Sequence, residues 1–187
     1  MTESEIKLLK QQYATPWDFI DWVKENVLEP RGLRNFGIDV CASVDNAKAP
    51  EWYDKDADGL ICTWANTVNA AAWCNPPFKD VTPWLQKAYD EAVRNSVFSC
   101  VLTHMDHSTD WFRTGMSLAS EVILINPRIN FVQHPDLLKF MADNNIKPGG
   151  NDKQNALWVF DPEWLTAAGD QAAITYPKPW RQCNGKR

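Results

Sequence analysis

Asn75-Pro76-Pro77-Phe78 is the stretch of this 187-residue chain with the clearest capacity for chemistry. It ends a short apolar run, Ala71-Ala72-Trp73-Cys74, and precedes Lys79-Asp80 and a helix start. Two consecutive prolines exclude a helix interior and a central sheet position, so the chain leaves its strand in a fixed, extended turn. The turn offers a carboxamide on Asn75, a carbonyl without a ladder partner on Pro76 and the flat ring of Phe78. In open α/β sheets, ligands bind at such carboxyl ends of strands. The set suits an exocyclic amine on adenine or cytosine, whose lone pair is delocalised into the ring. Two acceptors, the Asn75 side-chain oxygen and the Pro76 carbonyl, could take its two hydrogens and turn the nitrogen toward a tetrahedral shape. Phe78 could then stack on a base taken out of its helix. Without context, the same four residues also describe a strand-to-helix turn with Phe78 as a core anchor.

The elements that must position this turn follow in order along the chain. Residues 2–12 give a weakly amphipathic helix. Thr15-Pro16-Trp17-Asp18 reads as a helix start, with Thr15 as N-cap and Pro16 at the first helical position. Phe19, Ile20, Trp22, Val23 and Val27 form its apolar face, and Pro30 is expected to end it. Phe36 to Ala42 reads as a buried strand, followed by a polar loop to Pro50. Asp54 to Gly59 is turn-like, and Leu60-Ile61-Cys62 is expected as a short strand. Thr82-Pro83 opens a second helix that stops near Asn95. Val97–Leu102, Glu121–Asn126 and Ala156–Phe160 are further strands. Helices are expected after Ser108 or Thr109, from Pro135 to Asn145 with Leu137, Leu138, Phe140 and Met141 inward, and from Asp161 to Gly169. The tail reads as irregular. Strands alternating with helices predict an α/β fold with a mainly parallel sheet and helices on both faces. The chain is expected to form one domain, with flexible ends at about 1–12 and 170–187.

Composition limits the function. There is no apolar run near 18 residues and no basic-then-apolar leader, so neither a membrane span nor a secretory signal is expected. The five cysteines, at 41, 62, 74, 100 and 183, contain no CxxC pair and read as reduced thiols in a cytoplasmic protein. A formal net charge of −5 argues against non-specific nucleic-acid binding as the main task, though not against local contact with DNA. Arg31 with Arg34, and the tail Lys178, Arg181, Lys186 and Arg187, are the two candidate basic patches. His104 and His107 have an HxxH spacing but no second ligand cluster, so no metal is expected. Trp17, Trp22, Trp84 and Trp158 read as core. Asp39, inside an apolar strand, needs partners if buried and reads as a site residue.

The motifs Thr15-Pro16-Trp17, Asp39-Val40-Cys41-Ala42-Ser43, Asn46-Ala47-Lys48, Asp58-Gly59-Leu60, Trp73-Cys74-Asn75-Pro76-Pro77-Phe78 and Trp111-Phe112 occur in an order that resembles the phage DNA N6-adenine methyltransferase (Dam-like) family. The resemblance spans roughly residues 13–160, and the pairing of residues 39–48 with Asn75–Phe78 makes it specific. It implies a Rossmann-like fold and S-adenosylmethionine as cofactor. It also implies a cofactor site that includes Thr15, Pro16 and Trp17, with Thr15 and Pro16 at the amino-acid end. Asp39, Cys41, Ala42 and Ser43 would form the turn beneath, with Asp58 near the adenosine part. Asn75, Pro76, Pro77 and Phe78 would hold the target amine and base. Two departures stand out. Cys41-Ala42-Ser43 replaces the glycine-rich turn common in methyltransferases, and His104-Met105-Asp106-His107 stands where members commonly read Pro-Ala-Arg-Thr.

The resemblance implies a DNA substrate, methyl transfer to adenine N6 and action inside a phage-infected or lysogenic bacterium. Cytosine N4 methylation, protein-glutamine methylation and an idle binding module of the same fold are the alternatives. Residues 126–155 have the best room for target recognition. Oligomeric state and recognition sequence carry no readable motif.

Overall fold

The computed structural model describes residues 1–9, 13–65, 70–148, 151–167 and 172–181. Gly149, Gly150, the expected helix stop at Gly169, Cys183, Lys186 and Arg187 lie outside the described residues. In chain order the elements are helix α1 (Glu3–Leu9), helix α2 (Trp17–Val23), strands β1 (Phe36–Asp39), β2 (Glu51–Trp52) and β3 (Ala71–Cys74), and helix α3 (Thr82–Asn95). There follow β4 (Ser99–His104), α4 (Asp110–Leu118), β5 (Glu121–Ile125), α5 (Pro135–Asp143), β6 (Asn155–Phe160), α6 (Pro162–Ala167) and β7 (Ala173–Thr175).

The strands form one sheet in the order β2-β1-β3-β4-β6-β5-β7. Every pairing is parallel except those of β6, which runs against both β4 and β5. This is the α/β architecture with a mainly parallel sheet that the alternating pattern predicts, in the Rossmann-like form that the resemblance implies. Successive residues of each strand serve opposite faces. Ala72, Cys74, Val101 and Trp158 pack with Trp84, Leu85 and Ala88 of α3. Trp73, Cys100, Leu102 and Leu157 pack with Phe19, Ile20 and Val23 of α2 and with Val27 and Leu28 beyond it. Helices therefore cover both faces, which explains why β3 and β6 read as continuous apolar runs. No helix of the described residues is long and apolar enough to cross a membrane.

Several local expectations give way to tertiary contacts. Pro16, not Thr15, is the N-cap of α2, and no side chain caps it. The helix also runs past Pro30, through a π segment (Lys24–Leu28) and a 3-10 turn (Glu29–Arg31), to Gly32 at φ 74°. Pro30 is tolerated because it falls in the tighter terminal turn. Leu60-Ile61-Cys62 is a turn rather than a strand. The preceding Gly59 lies so close to β1 that an added Cβ would sit 2.0 Å from the Val40 carbonyl oxygen. The paired strand at this edge is instead Glu51–Trp52, too short and too exposed to show a period. The tail supplies β7 and a buried Trp180, which meets Phe19 edge-on at 5.3 Å. Trp17 is 54% exposed and Leu138 39% exposed, so neither is core.

Helix α4 is set by two contacts. The Thr109 hydroxyl caps it by accepting from the Phe112 N–H, choosing between the two residues the sequence offered. Gly115 then lets the helix touch the buried Trp158 ring, which an added Cβ would approach to 2.8 Å. Helix propensity favours alanine by about 1 kcal/mol, whereas overpacking a rigid core ring costs about 1–3 kcal/mol. Gly115→Ala is therefore expected to lose stability in urea titration, and equal or greater stability would overturn this account of the helix seat.

Candidate functional site

The carboxyl ends of β1, β3, β4 and β5 point to one edge of the sheet, and the amino end of the reversed strand β6 joins them there. Asp39 closes β1 with only 3% of its surface exposed. Its carboxylate accepts from the Cys41 N–H at 3.3 Å and the Lys48 N–H at 3.0 Å. Burial nevertheless outweighs these bonds and the nearby Lys48 charge, and pushes the carboxyl up to about 7. The loop from 41 to 48 is thus drawn around one carboxylate. Within it, Ser43 N–H and Oγ both donate to Asn46 Oδ1, and Ala42 N–H donates to the Tyr53 carbonyl. Asp58, at φ 55°, accepts from the Leu60 N–H and sits near enough to Cys41 to help raise its thiol. Burial is the largest cause, the Asp39 charge the next and Asp58 the last, and together they push Cys41 up to about 12. Burial also pushes Cys74 upward, so both thiols stay protonated.

β3 delivers the central turn. Asp39 pairs with Trp73, and the Val40 N–H bonds to the Trp73 carbonyl, so Asn75 emerges beside the Asp39 loop. The Asn75 side-chain oxygen is buried without a hydrogen-bond partner. No backbone hydrogen bond among the described loops ends on the Pro76 carbonyl, while the Pro77 carbonyl accepts from the Asp80 N–H at 3.4 Å. Phe78 is half-buried and lies 3.9 Å, centroid to centroid, from His104 at the end of β4. Phe131 stands 5.9 Å from Phe78 at 57°, and Tyr13 stands 6.4 Å from Phe131.

A strap from Tyr13 to Trp17 crosses this edge. At one end Ala14 and Val132 exchange backbone hydrogen bonds. At the other, the Lys48 ammonium lies 4.4 Å from the Trp17 ring centroid, a cation–π contact that accounts for an exposed tryptophan. Thr15 hangs between these anchors, 2% exposed, and its hydroxyl is buried without a partner. Buried polar atoms are seldom left unpaired. Trp73 Nε1 and Ser99 Oγ share that condition but lie within strands. Two surface recesses, of about 380 Å³ beside Trp17 and Lys48 and about 650 Å³ beside Arg31 and Asp161, are not lined by Asn75. The loop from 41 to 48, the strap and the turn after β3 border the cleft at the carboxyl ends of the strands.

Of the residues singled out in the sequence, Thr15, Pro16, Asp39, Cys41, Ala42, Ser43, Asp58 and Asn75 to Phe78 gather at this edge. Trp17 reaches it through Lys48. In each candidate basic patch one arginine is engaged by carboxylates. Arg31 is ion-paired with Glu121 at 2.7 Å and Asp161 at 3.3 Å, at the opposite end of β5 and β6. Arg181 pairs with Asp18 and lies over Trp180. Among the described residues no group of three or more His, Cys, Asp or Glu could hold a metal ion.

One positioning residue escaped sequence reasoning. Asn155, 1% exposed, accepts from the Ile129 N–H at 3.1 Å and from Asn151 Nδ2 at 2.9 Å, and donates to the Thr103 carbonyl. It ties the loop bearing Phe131 to the end of β4. Its only sequence signal is a polar residue opening an apolar strand.

The sequence profile of the family described as DNA N-6-adenine-methyltransferase (Dam) matches residues 3–174. The DNA N-6-adenine-methyltransferase of Haemophilus phage HP1 (strain HP1c1) is 27% identical over 165 residues, covering 87% of this chain and 86% of that protein. The protein of the same name from Escherichia phage T1 is 28% identical over 158 residues, 81% of this chain and 63% of its own length. No solved structure gives a significant match.

Two outcomes test the geometry. Asn155→Ala leaves the buried Ile129 N–H unpaired, at about 1–3 kcal/mol, and should lower the melting temperature. Unchanged melting would remove Asn155 as an anchor. For Asp39 the folded pKa of about 7 lies above the unfolded value near ~3.9, so the folded state binds more protons between them. Its contribution to stability is full below about pH 4, is lost as pH rises toward 7, and is level above. Subtracting the pH–stability curve of Asp39→Asn from that of the parent should expose this fall, and a flat difference would contradict it.

Proposed function

The chain belongs to the DNA N-6-adenine-methyltransferase (Dam) family, and on that premise we propose that the cleft around Asn75 methylates the N6 amine of an adenine swung out of DNA, with S-adenosylmethionine as methyl donor. The observation that carries this assignment is the Asn75 side-chain oxygen, buried at a strand's carboxyl end with nothing to accept from. An acceptor left open in that position is matched by an amine presented from the cleft.

The donor set fits such a cofactor. The Thr15 hydroxyl is a second open polar atom, suited to the amino-acid end. The Asp39 carboxylate favours a cation beside it. The backbone of Cys41, Ala42 and Ser43 forms the floor, and Asp58 stands next to Cys41 on the side suited to the adenosine hydroxyls. Pro16 and Trp17 hold the strap over it through α2 and Lys48. In this reading Asp39 acts through the loop it shapes, because its carboxylate is already engaged by the Cys41 and Lys48 N–H groups. When bound, the cofactor supplies a methyl group already activated on a sulfonium, so no metal is needed and the chain's work is to position and polarise.

Asn75 Oδ1 and the Pro76 carbonyl each accept one amine hydrogen. Withdrawing both from the ring plane localises the lone pair on N6, which can then form the new N–C bond while the C–S bond breaks. The surplus proton is lost from nitrogen to solvent. Pro77 fixes the turn, and the Phe78 ring carries the base. The work belongs in the cytoplasm of the phage's bacterial host, where the DNA is.

Single-molecule sequencing of DNA from cells expressing the chain should report N6-methyladenine in one context, and N4-methylcytosine would overturn the choice of base. Asn75→Ala should lower the rate of methyl transfer about 10²–10³-fold, the scale for losing a polarising partner in the transition state. Calorimetric affinity for S-adenosylmethionine should stay near that of the parent. A variant that keeps most of its turnover would refute the assignment.

A further inference from the structure

β3 and β4 are adjacent and parallel, with Cys74 opposite Val101, so the segments that follow them emerge side by side. Phe78, four residues past the end of β3, there meets His104, the last residue of β4. Their centroids are 3.9 Å apart with 33° between the planes. That is closer than the roughly 4.5–7 Å usual for aromatic pairs, and the small tilt makes it a face contact. Phe131 approaches the same ring at 57° and from further off, as a side wall. His104 is half-buried, and burial with the neighbouring Lys153 holds its pKa below the usual value, against the opposing charge of Asp152. The imidazole is therefore neutral at pH 7.

Resting on the reading of Phe78 as the base-stacking ring, we propose that His104 is a positioning residue, a backing plate that fixes one face of Phe78 so that the extruded adenine stacks on the other. A half-buried phenylalanine on a loop would otherwise have to be ordered when the base arrives, and that entropy would be subtracted from the stack. The imidazole orders it beforehand. No hydrogen bond from His104 to the base is needed, and the role belongs to the ring's face.

The test uses the full chain, duplex DNA with 2-aminopurine at the target position for binding and extrusion and with adenine there for kinetics, once the recognition sequence is known, and the variants His104→Ala, His104→Phe and Phe78→Ala. His104→Ala should weaken DNA binding about tenfold, within the range seen for loss of a base stack. It should also reduce the fluorescence rise on base extrusion and raise KM for DNA more than it lowers kcat. The fluorescence deficit should shrink when the target is mispaired, because extrusion is then easier. His104→Phe should restore binding to within about twofold. If His104→Ala melts early, His104→Leu replaces it, filling the space without a π face, and should bind as weakly as expected for the alanine. Parent-like or tighter binding by His104→Ala overturns the proposal, the tighter case meaning that the imidazole occupies the base's own seat. So does His104→Phe binding as weakly as His104→Ala. Weakened binding by Phe78→Ala alone removes His104 and leaves the base site standing, whereas parent-like binding by both removes the base site itself.

Discussion

A single buried carboxylate holds this site in shape. Asp39 has almost no contact with water, and a buried charge is tolerated only where partners compensate for lost hydration. Its partners are the Cys41 and Lys48 N–H groups, so the loop between them is wound around the charge. Fixing Lys48 brings its ammonium to the Trp17 ring, and Trp17 begins the helix that follows the strap. The seat of Thr15 thus depends on a residue in another part of the chain. The same burial leaves the carboxyl poised near neutrality, a state that a cation entering the cleft relieves.

The other wall of the cleft is fixed by neutral groups. Asn155 binds Ile129, Asn151 and Thr103, while Trp158 Nε1 donates to the Thr103 hydroxyl at 2.8 Å. A charge holds one side in shape and amides hold the other. Between them lies the turn after β3, whose prolines supply no N–H donors to compete for the Asn75 oxygen.

Legibility in the sequence followed the range of the forces involved. The apolar runs of β3, β4, β5 and β6 and the capped helix α4 were readable because burial on both faces and capping are written in neighbouring residues. Asn75–Phe78 was readable because two prolines dictate local geometry unaided. Strands β2 and β7 were not, since two or three exposed residues pair only because an edge is available. Thr15 looks like a cap in isolation, yet the fold buries its hydroxyl instead. Trp17 looks like core, yet a lysine 31 positions later claims its face. Arg31 looked free and is spent on two carboxylates at the far end of the sheet. Asn155 and the His104–Phe78 stack were invisible because each depends on strands that meet only after folding.

The reversal of β6 has a consequence for where chain can be added. Because β6 runs against its neighbours, the connection from β5 to β6 leaves and re-enters the sheet at the same edge, beside the cleft. Its two ends are stitched together by Asn155 and Asn151 to Ile129. Chain added between those stitches would alter no strand register, and lengthening a loop whose ends are already joined costs little, about 0.6 kcal/mol per doubling. This connection is therefore the part of the frame where added chain would disturb the sheet least.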